Sequence, residues 1–282
     1  MRKIQRSGSI LIFLMVLGFS IAGHAQTRVP DVHFDPTPWD VVEAMLNKAG
    51  VNQDDVVYDL GCGDGRFVIL AAKNFGARGV GVDIDPVRIK ESKENAQKAK
   101  VADRTTFIEG DLFKADIREA TVVTLYLLND LNYQLRQKLF RELKPGTRIV
   151  SYTFDMADWE PDEMMQIRDR FFYYWVIPAD VKGIWRFNIA SLGGDLQDQL
   201  TLNQKYQEVS GKIIVQGREF HIRDQRLKGN QVSFGIRYNV EGQNVLMKFS
   251  GRVTGDLLEG SVEVQGGPWA GTKPWNAQRV KH

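Results

Sequence analysis

The residues best placed to do chemistry lie in one stretch, Val56-Val57-Tyr58-Asp59-Leu60-Gly61-Cys62-Gly63-Asp64-Gly65-Arg66. An apolar run ends in an acid, glycines then alternate with short residues, and an amphipathic pattern follows. This reads as a buried strand, a tight turn and the start of a helix. Glycine lets backbone N–H groups approach a ligand because no Cβ stands in the way. A helix N-terminus offers free N–H groups and partial positive charge to an anion. Two further acids, Asp83 and Asp111, close later apolar runs at Gly79 to Asp83 and Thr105 to Ile108. Three acids at the ends of successive strands are more specific than any one of them. A plain glycine turn with ordinary strand-end caps is the competing reading.

The spacing selects the ligand. A dinucleotide fingerprint runs G-x-G-x-x-G. Here glycines stand at 61, 63 and 65 with Arg66 next, a D-x-G-x-G-x-G pattern headed by Asp59. That spacing disfavours a dinucleotide oxidoreductase. An acid at 59 would repel a pyrophosphate but suits the ammonium of an amino-acid tail. The N–H groups around Gly61, Cys62 and Gly63 would suit its carboxylate. S-adenosyl-L-methionine (SAM) carries that tail together with a ribose and an adenine. Asp83, 24 positions after Asp59, becomes the ribose candidate, with Ile84 beside it. Asp111 is placed to accept the adenine amino group and Leu112 to lie against the ring. The stretch resembles motif I of class I SAM-dependent methyltransferases.

These side chains need a scaffold, and the pattern supplies one. Thr37 reads as an N-cap with Pro38 at the first helical position and Asp40 three residues on. Val41, Val42, Met45, Leu46 and Ala49 then share one helical face, closed by Gly50. This helix would lay the proline segment Val29 to Pro38, with Thr37, over the cofactor mouth; a simple edge-covering helix is the alternative. Helices are expected from Gly65 to Phe75 and from Pro86 to Lys98, the latter capped by Asp85. Strands are expected at Val56 to Leu60, Gly79 to Asp83, Thr105 to Ile108, Val122 to Leu128 and Arg148 to Phe154. A helix presenting Leu135, Leu139 and Leu143 separates the last two, and the aromatic run Phe171 to Pro178 pairs antiparallel. Alternation of β and α with short connections implies a parallel sheet with right-handed crossovers. Ligands bind outside the carboxyl ends of such strands.

Several segments together resemble one family. Phe34-Asp35-Pro36-Thr37-Pro38, Asp59 to Arg66, Gly110-Asp111-Leu112-Phe113, Leu143-Lys144-Pro145-Gly146 and Asp158-Trp159-Glu160-Pro161 stand in its order. They are similar to bacterial relatives of the lysine methyltransferases that act on mitochondrial ATP synthase and on the adenine nucleotide translocase. The resemblance spans residues 30 to 178, and Asp64-Gly65-Arg66 is its most diagnostic piece. It implies a Rossmann-like α/β fold with a seven-stranded methyltransferase sheet and SAM as cofactor. By weaker analogy it implies a protein lysine as acceptor. The chain departs from the family at Cys62, where eukaryotic members have Ser, and around Tyr126 to Asn129. It lacks the Asn-Pro-Pro-Tyr or Asp-Pro-Pro-Tyr motif typical of enzymes that methylate bases or glutamine amides. Tyr126, Asn129 and Asp158 are the acceptor-side candidates for catalysis, with a packed core tyrosine as the other reading of 126.

The ends of the chain add two expectations. Arg2, Lys3 and Arg6 precede the apolar run Ile10 to Leu17, and small residues lead to Ala25. This describes a secretory signal peptide over residues 1–25, shorter than a membrane span. The expectation is a periplasmic or secreted protein without a stable membrane span after cleavage, an uncleaved anchor being the alternative. From Lys182 the pattern becomes short alternating β segments, including Gly183-Ile184-Trp185 and Trp275 to Arg279. About eight strands imply a smaller all-β domain, a barrel or sandwich, weakly similar to lipocalin-like domains. The expected division is 1–25, 26–181 for SAM-dependent transfer and 182–282 for the β-barrel-like part. The barrel would hold one ligand or only its own side chains.

Composition sets the outer bounds. The 282-residue chain is 43% hydrophobic with a formal charge of +2. Removing residues 1–25 takes away three bases and no acid, so 37 basic against 35 acidic residues becomes 34 against 35, a net −1. No nucleic-acid partner held by bulk electrostatics is expected. One cysteine and four scattered histidines give neither a disulfide framework nor a metal site. SAM is made in the cytosol, so an export signal raises a second reading: a noncatalytic exported binding protein with a degenerate SAM-binding domain and a β-barrel partner domain.

Overall fold

The computed structural model describes residues 33–189, 198–215, 217–240 and 242–280. The expected signal peptide, residues 1–25, lies outside them. The first part of the chain runs α1 (Trp39–Lys48), β1 (Val56–Leu60), α2 (Arg66–Phe75), β2 (Arg78–Asp83), α3 (Pro86–Lys98) and β3 (Thr105–Glu109). It continues with β4 (Val122–Leu125), α4 (Asn129–Glu142), β5 (Arg148–Tyr152), β6 (Glu163–Ile167) and β7 (Arg170–Val176). Seven strands form one sheet in the order β3-β2-β1-β4-β5-β7-β6. The first five are parallel, and β7 runs antiparallel to both β5 and β6.

Alternation along each strand fixes which helix covers which face. Val57, Val122 and Val150 pack on one side with Val41, Met45 and Leu46 of α1 and with Phe67 and Ala71 of α2. Tyr58, Val123 and Ile149 face the other side, against Leu135 and Leu139 of α4. β1, β4 and β5 are covered on both faces and read as nearly unbroken apolar runs, as parallel strands do. Burying Leu135 and Leu139 completely removes them from water at about 1.5–3 kcal/mol each.

Most boundaries agree with the expectations, and the differences have local causes. α3 begins as read: Asp85 caps it by accepting from the Val87 N–H at 2.8 Å, with Pro86 at the first helical position. α1 starts one residue later than read, so Pro38 rather than Thr37 occupies the cap position, and no side chain caps it. β4 stops at Leu125 and β5 at Tyr152, because the chain leaves the sheet where the crevice opens. β6, a largely exposed edge strand, carries too weak an alternation to be read from sequence.

The remainder is all β: β8 (Gly183–Ile189), β9 (Gln199–Lys205), β10 (Glu208–Val215), β11 (Arg218–His221), β12 (Arg223–Lys228), β13 (Gln231–Val240), β14 (Gln243–Thr254), β15 (Leu257–Gln265) and β16 (Gly271–Arg279). Their order is β11-β10-β9-β8-β16-β15-β14-β13-β12, every pairing antiparallel. The two edge strands β11 and β12 are consecutive in the chain, joined through Ile222, and β10 also meets β12. The sheet therefore closes on itself. β12 is an additional strand beyond the eight expected, with a register shift against β13 between Arg223 and Arg226. Trp185, Phe187, Phe234, Phe249 and Trp275 fill the interior, with Phe234 stacked on Phe249 at 4.8 Å. This barrel is a packed core.

The two parts are pinned together. Trp159 is fully buried among Phe140, Trp175 and Tyr206 of the β9–β10 turn, and its Nε1 donates to Gln207 at 2.8 Å. The Ala179 N–H donates to the Gly229 carbonyl at 2.8 Å.

Candidate active site

A cavity of about 510 Å³ opens at the carboxyl ends of β1, β2, β3 and β4. Every expected cofactor residue except Gly63 lines it: Thr37, Asp59, Gly61, Cys62, Asp83, Ile84, Asp111 and Leu112. Gly63 acts from behind. Its N–H donates to Asp83 Oδ2 at 2.8 Å, and the Asp85 N–H donates to Oδ1 at 2.9 Å. Two backbone donors thus fix the Asp83 carboxylate while leaving acceptor capacity for a pair of hydroxyls. Asp111 is ordered by a turn in which its Oδ1 accepts from the Phe113 N–H at 2.9 Å.

Asp59 is the electrostatic centre. It is buried at the end of β1, and burial pushes its carboxyl up to about 8. The Thr124 hydroxyl donates to it at 2.7 Å, which opposes the rise, while Asp83 and Asp64 reinforce it. A buried carboxyl crowded by two acids gains from an incoming cation. Cys62 is buried and its thiol is pushed well above the ordinary range, chiefly by burial, so it stays a neutral packing group.

The glycines act differently from the expectation. The N–H groups of Gly61 and Cys62 both bond to the Val82 carbonyl, and that of Gly65 to Cys62. They are spent on the turn, and the Arg66 N–H donates to Asp64 Oδ1 at 3.3 Å, so the donors left for an anion are those that follow it in the first turn of α2. Arg66 and Phe67 of that turn line the cavity. Gly63 and Gly65 are required by positive φ, +51° and +82°, and by close approach. A Cβ at 63 would fall 2.2 Å from the Phe34 ring, and one at 65 would fall 2.8 Å from Phe107.

Phe34 belongs to a strap that sequence placed only loosely. Residues 33–37 line the cavity. Arg88 lies over the Phe34 ring at 4.7 Å. Arg66 holds Asp64 through two bonds, Nε to Oδ1 at 2.9 Å and Nη2 to Oδ2 at 2.5 Å, and its Nη1 donates to the Thr37 carbonyl. The diagnostic Asp-Gly-Arg therefore has a mechanical role: it ties the strap to the glycine turn. The i, i+2 acid–base spacing was the available signal.

The acceptor-side candidates separate. Tyr126 lines the cavity just beyond β4. Its hydroxyl donates to Asp35 Oδ2 at 2.8 Å and accepts from Arg170 at 2.6 Å. Asn129 does not join it; it is the exposed first residue of α4, outside the cavity lining. Asp158 is also removed. Arg136 at 2.5 Å, Lys205 at 3.3 Å and the Tyr206 hydroxyl at 3.2 Å engage it, and Arg136 foremost holds its carboxyl down at about 2. The loop after β5 is drawn toward the barrel, which the linear sequence did not reveal.

The cavity fits SAM on its own residues. It offers a buried carboxyl to an ammonium, an open helix start to a carboxylate, a fixed acid to the ribose, and Leu112 with Asp111 to the adenine. A doubly wound sheet with these groups at its switch point defines a class I SAM-dependent methyltransferase. The ANTKMT methyltransferase domain matches residues 59–163. A protein-lysine N-methyltransferase of Saccharolobus islandicus is 50% identical over 142 residues, half of this chain and 88% of its own length. A lysine N-methyltransferase of Xenopus laevis, named for its action on ATP synthase, is 33% identical over 124 residues, 44% of this chain and 52% of its own. A crystal structure described as an RNA methyltransferase from Salinibacter ruber with S-adenosyl-L-homocysteine is 53% identical. It aligns at a TM-score of 0.52 over 52% of this chain and 96% of its own. The chain belongs to the SAM-dependent protein-lysine methyltransferase family.

Proposed function

We infer that this protein transfers a methyl group from SAM to the ε-amine of a lysine in a partner protein. The observation that carries the reading is the 50% identity with the Saccharolobus protein-lysine N-methyltransferase across nearly all of that protein. The site supports it. Asp59, Asp83 and the start of α2 orient the cofactor, and the strap from His33 to Thr37 forms one wall of the cavity. When bound, SAM supplies the methyl group and the leaving thioether: the N–C bond forms as the S–C bond breaks, and that electron pair stays on sulfur. Orientation and a dry pocket are the protein's part. The amine gives up its proton before attack. Desolvation at the mouth lowers a lysine pKa, so a histidine or cysteine base is not needed.

The description of the Salinibacter relative favours a second reading, an RNA acceptor. The net charge of −1 after residues 1–25 speaks against it, since nucleic-acid binding rests on phosphate neutralisation. Incubation with methyl-labelled SAM and separated protein and RNA fractions decides between them. Label in protein, released as methyl-lysine on acid hydrolysis, is expected; label in RNA alone would overturn the lysine reading.

We also read residues 1–25 as an export signal, 26–181 as the catalytic unit and 182–282 as a packed barrel. That barrel fixes the loop holding Asp158 and Trp159. Among the described residues no helix is long and apolar enough to cross a membrane. Fractionation with N-terminal sequencing tests the export signal; an intact N-terminus in the cytosol would refute it.

A further inference from the structure

Six acids line the cavity, and five have work elsewhere. Asp59 sits buried on Thr124. Asp64 is clamped by Arg66, and Asp83 holds the Gly63 turn. Asp85 caps α3, and Asp111 closes its own turn. The sixth, Asp35, stands at the exposed rim of the strap. Among the described residues its one hydrogen-bond partner is the Tyr126 hydroxyl, on Oδ2. It lies on the β4 side of the cavity, away from Asp83 and Asp111 on β2 and β3. That is the side left for the acceptor once the ribose and adenine are placed.

Its surroundings suit an alkylammonium. Tyr126 meets Tyr152 at 4.9 Å between ring centroids and Phe154 at 6.1 Å. Tyr152 and Phe154 back the Tyr126 ring, which lines the cavity and can attract a cation through its quadrupole. Arg170 donates to the far side of the Tyr126 hydroxyl at 2.6 Å and lies over the Tyr152 ring at 5.8 Å. It makes no ion pair with Asp35 within 4 Å among the described residues. Arg170 therefore directs the Tyr126 proton toward Asp35 without itself bonding the carboxylate. Burial, reinforced by Asp35, raises the Tyr126 phenol above its ordinary value, so it remains a donor.

We propose that Asp35 is the receptor for the acceptor amine: its carboxylate takes the lysine ammonium at the mouth, beside the Tyr126 ring. Tyr126 and Arg170 are positioning residues that hold the carboxylate in place. The proposal rests on the lysine reading of the preceding section. Because Asp35 belongs to the strap, the acceptor contacts the element that closes over the cofactor. An acid there also selects against anionic acceptors.

The test uses the full chain, SAM and a short peptide with one lysine and blocked ends. Asp35→Asn is expected to raise the peptide KM at least tenfold while SAM affinity by calorimetry stays within twofold. Tyr126→Phe is expected to shift KM in the same direction and by less. Asp35→Glu is expected to recover part of the loss. If Asp35→Asn leaves the peptide KM unchanged, the amine site is wrong while the lysine reading stands. If SAM affinity falls together with peptide KM, Asp35 serves the cofactor and the proposal is overturned. If the wild type puts methyl into no lysine of the peptide or of an envelope-protein extract, the lysine reading fails and this site fails with it.

Discussion

Replacing Asp59 by Asn should stabilise the SAM-free protein while abolishing its affinity for SAM. The carboxyl stands at about 8 in the folded chain because β1 buries it beside Asp83 and Asp64. In the unfolded chain it titrates near its ordinary value of about 3.9. A raised carboxyl favours the fold fully below that value and progressively less as pH climbs toward the folded one. Between the two the slope is about −1.4 kcal/mol per pH unit, so the cost at pH 7 is about 4 kcal/mol. Asn keeps an oxygen for the Thr124 hydroxyl and removes the ionisation. Urea unfolding of both proteins at pH 5 and pH 8 without SAM gives the difference directly. The wild type should lose stability relative to the variant across that interval. The same linkage has a binding side: an ammonium favours the ionised carboxylate, so SAM uptake at pH 7 should release a proton. Calorimetry in two buffers of different ionisation enthalpy counts it. Parallel stability profiles for the two proteins, or SAM binding without proton release, would refute the reasoning.

Four further outcomes follow from the geometry. Gly63→Ala places a Cβ 2.2 Å from Phe34 at φ +51°, so it should expel the strap and weaken SAM binding by about tenfold or more, read by calorimetry. Gly146→Ala is the control: its φ of +96° carries backbone strain, but nothing lies within 4 Å, so SAM affinity should hold. Trp159→Ala empties the centre of the junction between the sheet and the barrel and should cost about 3–5 kcal/mol, seen as an earlier urea midpoint. Asp158→Asn should leave methyl transfer and SAM affinity within twofold, because its partners are Arg136, Lys205 and Tyr206.

That the expected cofactor residues share one cavity was legible because their placement is local. Asp59, Asp83 and Asp111 each close a strand whose apolar run is visible in sequence, and parallel pairing brings those ends to one edge. Asp85 and Pro86 marked the start of α3 for the same reason, since a cap and its helix are neighbours in the chain. The acceptor half was harder. Tyr126, read from its place after β4, lines the cavity, whereas Asn129 and Asp158, read by the same logic of loops beyond strand ends, do not. The Asp158 loop faces the crevice in sequence terms, but Tyr206, 48 residues later, pulls it to the barrel.

Sequence alone determined the β-α alternation, the glycine turn and the acid at the end of each of three strands, since these follow from patterns a few residues long. It also made the C-terminal region all β, since alternation of period two is equally local. Only the tertiary structure decided what the turn's N–H groups do, that Arg66 ties down the strap, and that Tyr126 meets Asp35 and Arg170 across 91 and 44 positions. It also decided that β11 and β12 close a ring around a packed core. These outcomes depend on contacts between segments distant in the chain, where close packing and the pairing of buried polar groups select among arrangements that local pattern leaves equal.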